Sequence, residues 1–329
     1  MTVPLLLSEA DLGRVLDLEA LIPAMREALR SFSSGDVVQP VRPTLVIEPA
    51  GGYYSTMPAY LRDERGGALG MKSVTFFPGN AGGPHPTHLA TILLLDPANG
   101  APLAILDGRL VTELRTAAVT AVSVQLLART GARRLALLGS GVQARSHLRA
   151  LALVRDLASV KVWSRTPAHA ERFVREMGGA AGCPLEAVAS VREAMRGADI
   201  VVAVTSAREP IVDAAWLEPG MHLCAVGSST ADVRELDGAS VARCRVFVDS
   251  RASAAAESGD LIMAQSEGRI GPDHVVAELG EVAAGTPGRR SDGEITLFKS
   301  LGLAVEDVVA ARLAYEKARA LGVGTAATL

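Results

Sequence analysis

Residues 134–145, RLALLGSGVQAR, decide the fold of this chain. Their apolar beginning is followed by Gly139, Gly141 and Ala144, which form the pattern G-x-G-x-x-A. In a dinucleotide-binding turn of this kind, a buried strand leads into a helix whose N-terminus faces a pyrophosphate. Gly139 permits the tight turn, Gly141 lets the backbone approach the phosphates, and Ala144 allows the helix to pack closely on the strand.

The sequence around this turn favours a nucleotide site over an ordinary strand–turn–helix unit that binds nothing. Residues 143–154 are compatible with a helix, and residues 160–164 with a second strand. Strands and helices then alternate, which predicts an α/β fold with a Rossmann-type, doubly wound parallel sheet. Its ligand crevice is expected at the carboxyl ends of the strands. The further predicted elements are strands 199–204, 221–226 and 245–249 and helices 168–177 and 191–196.

The candidate cofactor-binding residues follow the ends of the predicted strands. An NAD-preferring fold places Asp or Glu after the second strand, where it bonds the ribose hydroxyls. Here that position reads Ser164-Arg165-Thr166, and a guanidinium suits a 2′-phosphate. The sequence therefore predicts NADPH as the preferred cofactor, with NADH possible; the alternative is a solvated loop arginine. The remaining candidates are Gly139, Ser140, Gly141, Val142, Gln143, Val204, Thr205 and Val226.

Composition and charge exclude several other classes of protein. The chain has 329 residues, of which 49% are hydrophobic, and this is enough for two domains with sizeable cores. The net charge is −3 without a basic run, so neither nucleic acid nor a membrane surface is an expected partner. Three distant cysteines and six scattered histidines predict neither a disulfide framework nor a metal site. We find no signal peptide and no apolar run as long as a membrane span, and we expect a cytoplasmic protein.

The first third of the chain predicts helices followed by a largely antiparallel sheet. Ser8 and Asp11 resemble a capping box, and Asn99-Gly100 between apolar runs indicates a hairpin. Residues 284–293 read as a linker loop, and a last helix follows it. The predicted helices here are 18–32, 108–129 and 303–321, and the predicted strands are 44–47, 53–57, 69–76, 89–95 and 102–106.

Motifs along nearly the whole chain resemble the ornithine cyclodeaminase/μ-crystallin family, and most closely its ketimine reductase branch. The resemblance implies a homodimer and two domains. Residues 1–115 and 303–329 would form an α+β substrate-binding and dimerisation domain from both termini, and residues 116–302 the NAD(P)-binding Rossmann domain. The motifs include Gln39-Pro-Val-Arg42, Met57-Pro-Ala-Tyr60, Lys72-Ser-Val-Thr-Phe76, Leu114-Arg-Thr-Ala-Ala118, Gly139-Ser-Gly-Val-Gln-Ala144, Val226-Gly-Ser228, Arg234-Glu-Leu-Asp237, Phe298-Lys-Ser-Leu-Gly302 and Ala304-Val-Glu-Asp307.

The family resemblance implies that three cations bind the carboxylate of an imino or amino acid. They match Arg42, Lys72 and Arg115 in this sequence, with Lys72 and Arg115 also catalytic. Charge-assisted bonds to a carboxylate explain why the chemistry uses such residues. The residues alone favour other interpretations: Arg42 as a rim charge, Lys72 as a residue facing water, and Arg115 as a structural ion pair with Glu113 or another acid. His88 is a further candidate for the substrate pocket, with a purely structural role as the alternative.

One departure from the family pattern distinguishes between its activities. Cyclodeaminases carry a catalytic aspartate after the Val-Gly turn, and this chain has Ser229 there. A neutral hydroxyl cannot deprotonate an amine, whereas reduction of a preformed imine needs only a hydrogen bond at its nitrogen. Ser229 is therefore a candidate catalytic and substrate-binding residue. Asp232, three residues further on, is the alternative carboxylate.

Together with these residues, the family resemblance implies NAD(P)H-dependent reduction of the cyclic ketimines Δ1-pyrroline-2-carboxylate and Δ1-piperideine-2-carboxylate to L-proline and L-pipecolate. The first alternative is an NAD-dependent ornithine cyclodeaminase, which converts L-ornithine to L-proline and ammonia. Two others are an alanine-dehydrogenase-like activity and non-catalytic, NADPH-dependent binding of a small ligand. The complete set of cations favours catalysis over binding alone.

Overall fold

The computed structural model describes residues 3–63 and 66–327. The chain divides into two compact units, of which unit 1 comprises Met1–Arg115 with Leu303–Leu329 and unit 2 comprises Thr116–Gly302. Each unit has its own sheet of eight strands within the described residues. The strands are β1 (Leu5–Leu7), β2 (Val37–Val38), β3 (Thr44–Ile47), β4 (Gly52–Leu61), β5 (Ala68–Phe76), β6 (His88–Leu95), β7 (Pro102–Asp107), β8 (Arg134–Leu138), β9 (Ser159–Trp163), β10 (Leu185–Ala187), β11 (Ile200–Ala203), β12 (His222–Ala225), β13 (Arg245–Val248), β14 (Val275–Glu278), β15 (Thr296–Lys299) and β16 (Thr325–Ala326).

Helices account for much of the remaining chain. They are α1 (Glu9–Val15), α2 (Leu18–Ser33), α3 (Gly108–Leu127), α4 (Val142–Val154), α5 (Pro167–Met177), α6 (Val191–Met195), α7 (Gly238–Ala242), α8 (Arg251–Glu257), α9 (Gly259–Ser266), α10 (Leu279–Ala283) and α11 (Ala304–Leu321). The predicted capping box at the start of α1 is confirmed, because the Ser8 hydroxyl accepts from the Asp11 amide and the Asp11 carboxylate accepts from the Ser8 amide.

Unit 1 is the α+β unit that the sequence predicts. Its strand order is β16-β1-β7-β6-β5-β4-β2, with β3 also paired to β4. All these pairs are antiparallel except β1 with β7. Helix α11 packs on β5, where a Cβ on Gly70 would lie 3.4 Å from Val308 Cγ2 and 2.6 Å from the Leu93 carbonyl. Residues from both ends of the chain therefore build this unit.

Unit 2 is the doubly wound parallel sheet that the fingerprint predicts. Its order is β10-β9-β8-β11-β12-β15-β13-β14, and every neighbouring pair is parallel. The chain leaves β8 toward β9 on one side and later returns to β11 on the other. The fingerprint strand β8 therefore lies at the topological switch point, where such sheets bind their ligands.

Residues 284–293 form a loop that lies ahead of the boundary between the two units. The loop lies inside unit 2 between α10 and β15. The chain enters unit 1 only at Leu303. The Pro- and Gly-rich composition is typical of any exposed loop, whether or not a domain ends there.

Helix α3 corrects one expectation. By length and composition it qualifies as a candidate membrane span, with a mean hydropathy of 1.3, although the sequence suggested no run of that length. The apolar residues are interrupted by Thr112, Glu113 and Arg115, so the sequence does not read as one continuous apolar stretch. Within the protein, 72% of its most apolar window is buried, as is usual for the core helix of a folded domain.

Candidate active site

Lys72 is the centre of a buried cluster of charges in unit 1. Alternate residues of β5 face the core, and Lys72 shares this buried face with Gly70 and Val74. Its side chain is 2% exposed, which excludes the interpretation that it faces water. Its Nζ lies 2.6 Å from Asp307 Oδ2 and donates to Thr112 Oγ1 at 3.4 Å.

Arg115 joins the same cluster from helix α3. Its Nε donates to Asp307 Oδ1 at 3.0 Å, and its Nη1 donates to Glu306 Oε2 at 2.8 Å. The acids that pair with Arg115 are thus in the last helix, and Glu113 is not among these two partners. The ion-pair interpretation describes these contacts correctly, and it leaves a role in substrate binding open because Arg115 also lies beside Lys72.

Glu306 and Asp307 are functional candidates that our sequence reasoning missed. Both are fully buried in the first turn of α11, where carboxylates interact favourably with the helix dipole. Their signal was present in the motif Ala304-Val-Glu-Asp307. Two adjacent acids in an otherwise apolar helical stretch need buried cationic partners, and this could have directed attention to them.

The charges of the cluster set its protonation. Burial lowers the pKa of Lys72 to about 8, although Asp307 opposes this effect, and the charges of Arg115 and Arg42 lower it further. Burial also works against ionisation of Asp307, but Arg115 and Lys72 outweigh it and hold the pKa of this carboxyl below its usual value. At neutral pH the pair is therefore an ammonium and a carboxylate.

Arg42 and His88 border this cluster. Arg42 is half-buried, and the preceding Gln39 accepts a hydrogen bond through Oε1 from the Val305 amide at 2.9 Å, which fixes this segment to the start of α11. His88 begins β6 and is also half-buried. Burial lowers its pKa to about 4, and the charges of Lys72 and Arg115 lower it further, so the ring is neutral at pH 7. Arg42, Arg115 and His88 thus each lie within electrostatic reach of Lys72.

The glycine turn of unit 2 fits a dinucleotide. Gly139 has φ +119°, and a Cβ there would lie 2.7 Å from the Val204 carbonyl, so the turn requires glycine. A Cβ on Gly141 would meet nothing within 4 Å, and no side chain caps the N-terminus of α4 that follows. Val142 at the first helical position is 53% exposed. An open, uncapped helix N-terminus behind a glycine turn can accept a pyrophosphate.

The other predicted cofactor residues lie along the same edge of the sheet. Gly139 donates its amide to the Trp163 carbonyl at 2.8 Å, so the fingerprint turn adjoins the end of β9. Ser164 is half-buried, and Arg165 and Thr166 are exposed. Arg165 has no hydrogen bond or ion pair with residues 3–63 and 66–327, so it is available to a ligand. Val204, Thr205 and Val226 directly follow β11 and β12, and Ser140 and Gln143 are half-buried beside the turn.

A second buried cluster, also missed from the sequence, holds the loops after β11 and β12. Glu235 accepts from the Thr205 amide and hydroxyl at 2.8 and 2.7 Å and from the Gly227 amide at 2.7 Å. Asp260 accepts through Oδ1 from the amides of Glu235 and Leu236 at 2.8 and 2.9 Å. Burial raises the pKa of Glu235. This cluster ties together the backbone that carries Thr205 and Val226.

Lys299 completes this second cluster from β15. It is fully buried, its Nζ lies 2.9 Å from Asp260 Oδ2, and it donates to the Ser228 carbonyl. Ser228 in turn donates to the Val233 carbonyl at 2.6 Å. These bonds fix the loop on which Ser229 lies.

Ser229 and Asp232 differ in whether their side chains are bonded to other residues of the protein. Ser229 is half-buried, and its hydroxyl has no hydrogen bond to the described part of the chain. Asp232 is exposed, pairs with Arg208 at 2.9 Å and accepts from the Thr230 hydroxyl at 2.7 Å. The structure therefore leaves the serine free and engages the aspartate at the surface.

Residues 3–63 and 66–327 contain no group of three His, Cys, Asp or Glu side chains placed to hold a metal ion. Of the cysteines, Cys224 and Cys244 are buried and Cys183 is half-buried. Burial raises the pKa of the two buried thiols to about 12. They behave as small hydrophobic residues.

The fold and the turn define the chain as a dinucleotide-binding α/β protein with a separate α+β unit. More particularly, the chain belongs to the ornithine cyclodeaminase/mu-crystallin family, whose model matches residues 2–322. The resemblance seen in the sequence is thereby confirmed.

Proteins of named activity are similar to this chain over nearly its whole length. The ketimine reductase mu-crystallin of Macropus fuliginosus is 41% identical over 319 residues, which are 95% of this chain and 97% of that protein. The structure of Thermococcus litoralis Delta(1)-pyrroline-2-carboxylate reductase in complex with NADH and L-proline is 40% identical, with a TM-score of 0.95 over 98% of this chain and 100% of that one. An archaeal alanine dehydrogenase dimer with bound NAD is 33% identical, with a TM-score of 0.93 over 99% of both chains.

Proposed function

We propose that this protein is an NAD(P)H-dependent reductase of cyclic ketimines, acting on Δ1-pyrroline-2-carboxylate and Δ1-piperideine-2-carboxylate to give L-proline and L-pipecolate. The observation that carries the proposal is the buried Lys72–Asp307–Arg115 cluster, in a chain that also has the dinucleotide turn. Relatives named as a ketimine reductase and a pyrroline-2-carboxylate reductase support the same reaction.

The charges around Lys72 suit a substrate with one carboxylate. Arg42, Lys72 and Arg115 are three cations, whereas Glu306 and Asp307 supply two negative charges, so these five side chains leave one positive charge. A carboxylate entering this environment meets charge-assisted donors, and arginine can bond both of its oxygens. The cluster thereby orients a small amino or imino acid.

The reaction adds a hydride to the imine carbon and a proton to the ring nitrogen. The bound reduced nicotinamide supplies the hydride. Lys72 holds a proton at Nζ, with a pKa of about 8 that allows it to give the proton up near neutral pH. Ser229 offers a neutral hydroxyl for a hydrogen bond to the nitrogen.

Cyclodeamination of ornithine is the second candidate, and the arrangement after β12 disfavours it. That reaction requires a base for an amine, and Ser229 is not one. Asp232 is held at the surface by Arg208. We therefore place reduction of a preformed imine first.

The cofactor proposed is a nicotinamide dinucleotide, with NADPH preferred. Relatives with bound NADH or NAD support the first part. The exposed Arg165 after β9, without an acidic residue beside it, supports the preference for a 2′-phosphate.

We also propose a homodimer that uses the edge of the unit 1 sheet. In β3, Leu45 and Val46 are 62% and 70% exposed, and an exposed apolar edge strand is a ready interaction surface. The archaeal relative with bound NAD is a dimer. Light scattering tests this: the wild type should have twice the mass of one chain, and Val46→Lys should shift it to the mass of one chain. A wild-type protein of single mass would contradict the proposal.

The activity is tested by mixing the purified protein with NADPH and each imine. We expect loss of the NADPH absorbance and stoichiometric formation of L-proline or L-pipecolate. Ammonia release from L-ornithine, without consumption of either imine, would reverse the order of the two candidates. Uptake of cofactor and ligand without turnover would instead indicate a binding protein.

A further inference from the structure

Asp307 bridges the two cations that the proposed function assigns to the substrate. One carboxylate oxygen lies 2.6 Å from Lys72 Nζ, and the other accepts from Arg115 Nε at 3.0 Å. The carboxylate is fully buried at the beginning of α11. A single side chain from the C-terminal helix thus connects β5 with α3.

Without this carboxylate, an ammonium and a guanidinium would be buried side by side. An isolated buried amine gives up its proton, because the charged form loses its hydration. Arg115 cannot respond in this way, since a guanidinium stays charged. The cost would therefore fall on Lys72, which would become a neutral amine.

The donors of Lys72 show how its orientation is fixed. The Thr112 hydroxyl donates to the Gly108 carbonyl at 2.7 Å, so it can only accept from Lys72. An ammonium has three N–H donors. Within the described residues, Nζ forms an ion pair with Asp307 and donates to Thr112, which leaves donor capacity for a ligand.

We propose that Asp307 is a positioning residue, a role that rests on the proposed reductase function. Its carboxylate keeps the Lys72 amine protonated and holds it beside Arg115. The two cations then receive one substrate carboxylate, and Lys72 retains a proton for the ring nitrogen. Asp307 acts only through Lys72 and Arg115.

The charged and titratable groups around Lys72 come from four segments. Asp307 lies on α11, Arg115 on α3, Arg42 in the loop before β3 and His88 on β6. Glu306, next to Asp307, is also fully buried and pairs with Arg115 through Nη1 at 2.8 Å. Glu306→Gln is therefore a matched control for Asp307→Asn, because each removes one buried carboxylate partner of Arg115.

The small number of lysines makes Lys72 directly observable. The chain has four, Lys72, Lys161, Lys299 and Lys317. In the 13C NMR spectrum, protein labelled with 13C at lysine Cε gives four signals, and single Lys→Arg variants assign each signal to its lysine. In the wild type, we expect the Lys72 signal to titrate near pH 8. A Lys72 that is already neutral at pH 7 in the wild type would overturn the proposal.

The two variants then distinguish the effect of Asp307 on the Lys72 pKa from the effect of Glu306. In D307N, the Lys72 pKa should fall by about 1–3 pH units, the usual effect of a close opposite charge. In E306Q, it should change much less. An unchanged Lys72 titration in D307N, or an equal fall in both variants, would contradict the assigned role. This measurement needs no substrate, so a failure of the reductase proposal is recognised separately by the imine assay.

The pH profile of the reaction gives a second readout. The alkaline limb of kcat/KM should begin near pH 8 in the wild type and move to lower pH in D307N, because the fraction of ammonium falls earlier. A purely structural role would lower kcat/KM without moving the limb. If D307N does not fold, D307E provides the test: with its charge kept, Lys72 should stay protonated at pH 7 while KM rises. A neutral Lys72 in folded D307E would overturn the proposal.

Discussion

Two buried lysines, one in each unit, form the same kind of ion pair in different surroundings. Lys72 lies 2.6 Å from Asp307, and Lys299 lies 2.9 Å from Asp260. All four side chains are nearly or completely buried. The chain otherwise uses arginine for nearly all of its cations, since only four of its 33 basic residues are lysines.

The difference lies in what else each pair contacts. Around Lys72, the further cations Arg115 and Arg42 share the available carboxylates, so that positive charge is in excess. Around Lys299, the ammonium, Asp260 and Glu235 are bonded to backbone groups of the loops after β11 and β12. The comparison teaches that burial and pairing alone do not identify a functional charge. What sets the Lys72 cluster apart is its excess of positive charge, because Lys299 instead stands with two buried acids, Asp260 and Glu235.

Replacement of Lys72 should cause the largest effect on activity. Lys72→Met removes the proposed proton donor and a contact to the substrate carboxylate. We expect kcat/KM for the imines to fall by about 10²–10⁴-fold, the usual contribution of a positioned acid. Lys317→Met is the matched control, because Lys317 pairs at the surface with Asp17. A Lys72→Met enzyme as active as this control would remove the basis of the comparison.

Replacement of Lys299 should instead affect stability most. Lys299→Met leaves Asp260 buried beside Glu235 without its cation, and such a loss costs about 3–5 kcal/mol of unfolding free energy. Lys72→Met should cost less, since Asp307 keeps Arg115. Urea unfolding of both variants measures this difference. Equal losses, or a greater loss for Lys72→Met, would show that the two pairs do not differ as described.

In contrast to the two buried lysines, Arg165 is an exposed cation, and its proposed partner is the 2′-phosphate of the cofactor. Arg165→Ala should weaken NADPH binding by about 10–100-fold, which corresponds to the 1.5–3 kcal/mol of a charged hydrogen bond. Its effect on NADH should be small, because NADH lacks the 2′-phosphate. Fluorescence titration with both cofactors tests this prediction. Unchanged NADPH affinity would exclude the assignment of Arg165.

The smallest effect is expected at the edge of the Lys72 cluster. Gln39→Ala removes the side-chain acceptor of the Val305 amide. We expect a loss of about 1 kcal/mol in unfolding free energy, with a modest rise in KM because Arg42 follows on the same segment. Thermal unfolding and imine kinetics measure the two effects. A reduced kcat at unchanged KM would argue against an effect transmitted through Arg42.

Much of the fold follows from local sequence signals. The glycine turn, the alternating strands of unit 2 and the hairpin at Asn99-Gly100 depend on neighbouring residues, and the structure contains each of them. The burial of Lys72 was not predicted, because alternation along β5 does not say which face is covered. That face is covered by α11, which is more than 200 residues away along the chain.

The missed residues have a common physical cause. Asp307 and Glu306 have meaning only beside Arg115, about 190 residues earlier. Strand β15 was not predicted, since Lys299 is a charge in a fully buried strand, and its stabilising partners lie on other elements. Sequence patterns report local structure well, but buried ion pairs are formed by distant segments.

The role of Lys72 is tested most directly by adding L-proline to the NADP⁺-loaded protein labelled at lysine Cε. Our account predicts that the chemical shift of the Lys72 signal changes as proline is added and then saturates. The proline concentration at half of this change should equal the Kd that calorimetry gives for proline binding. If proline binds by calorimetry while the Lys72 signal stays unchanged, the Lys72 cluster is not the carboxylate site.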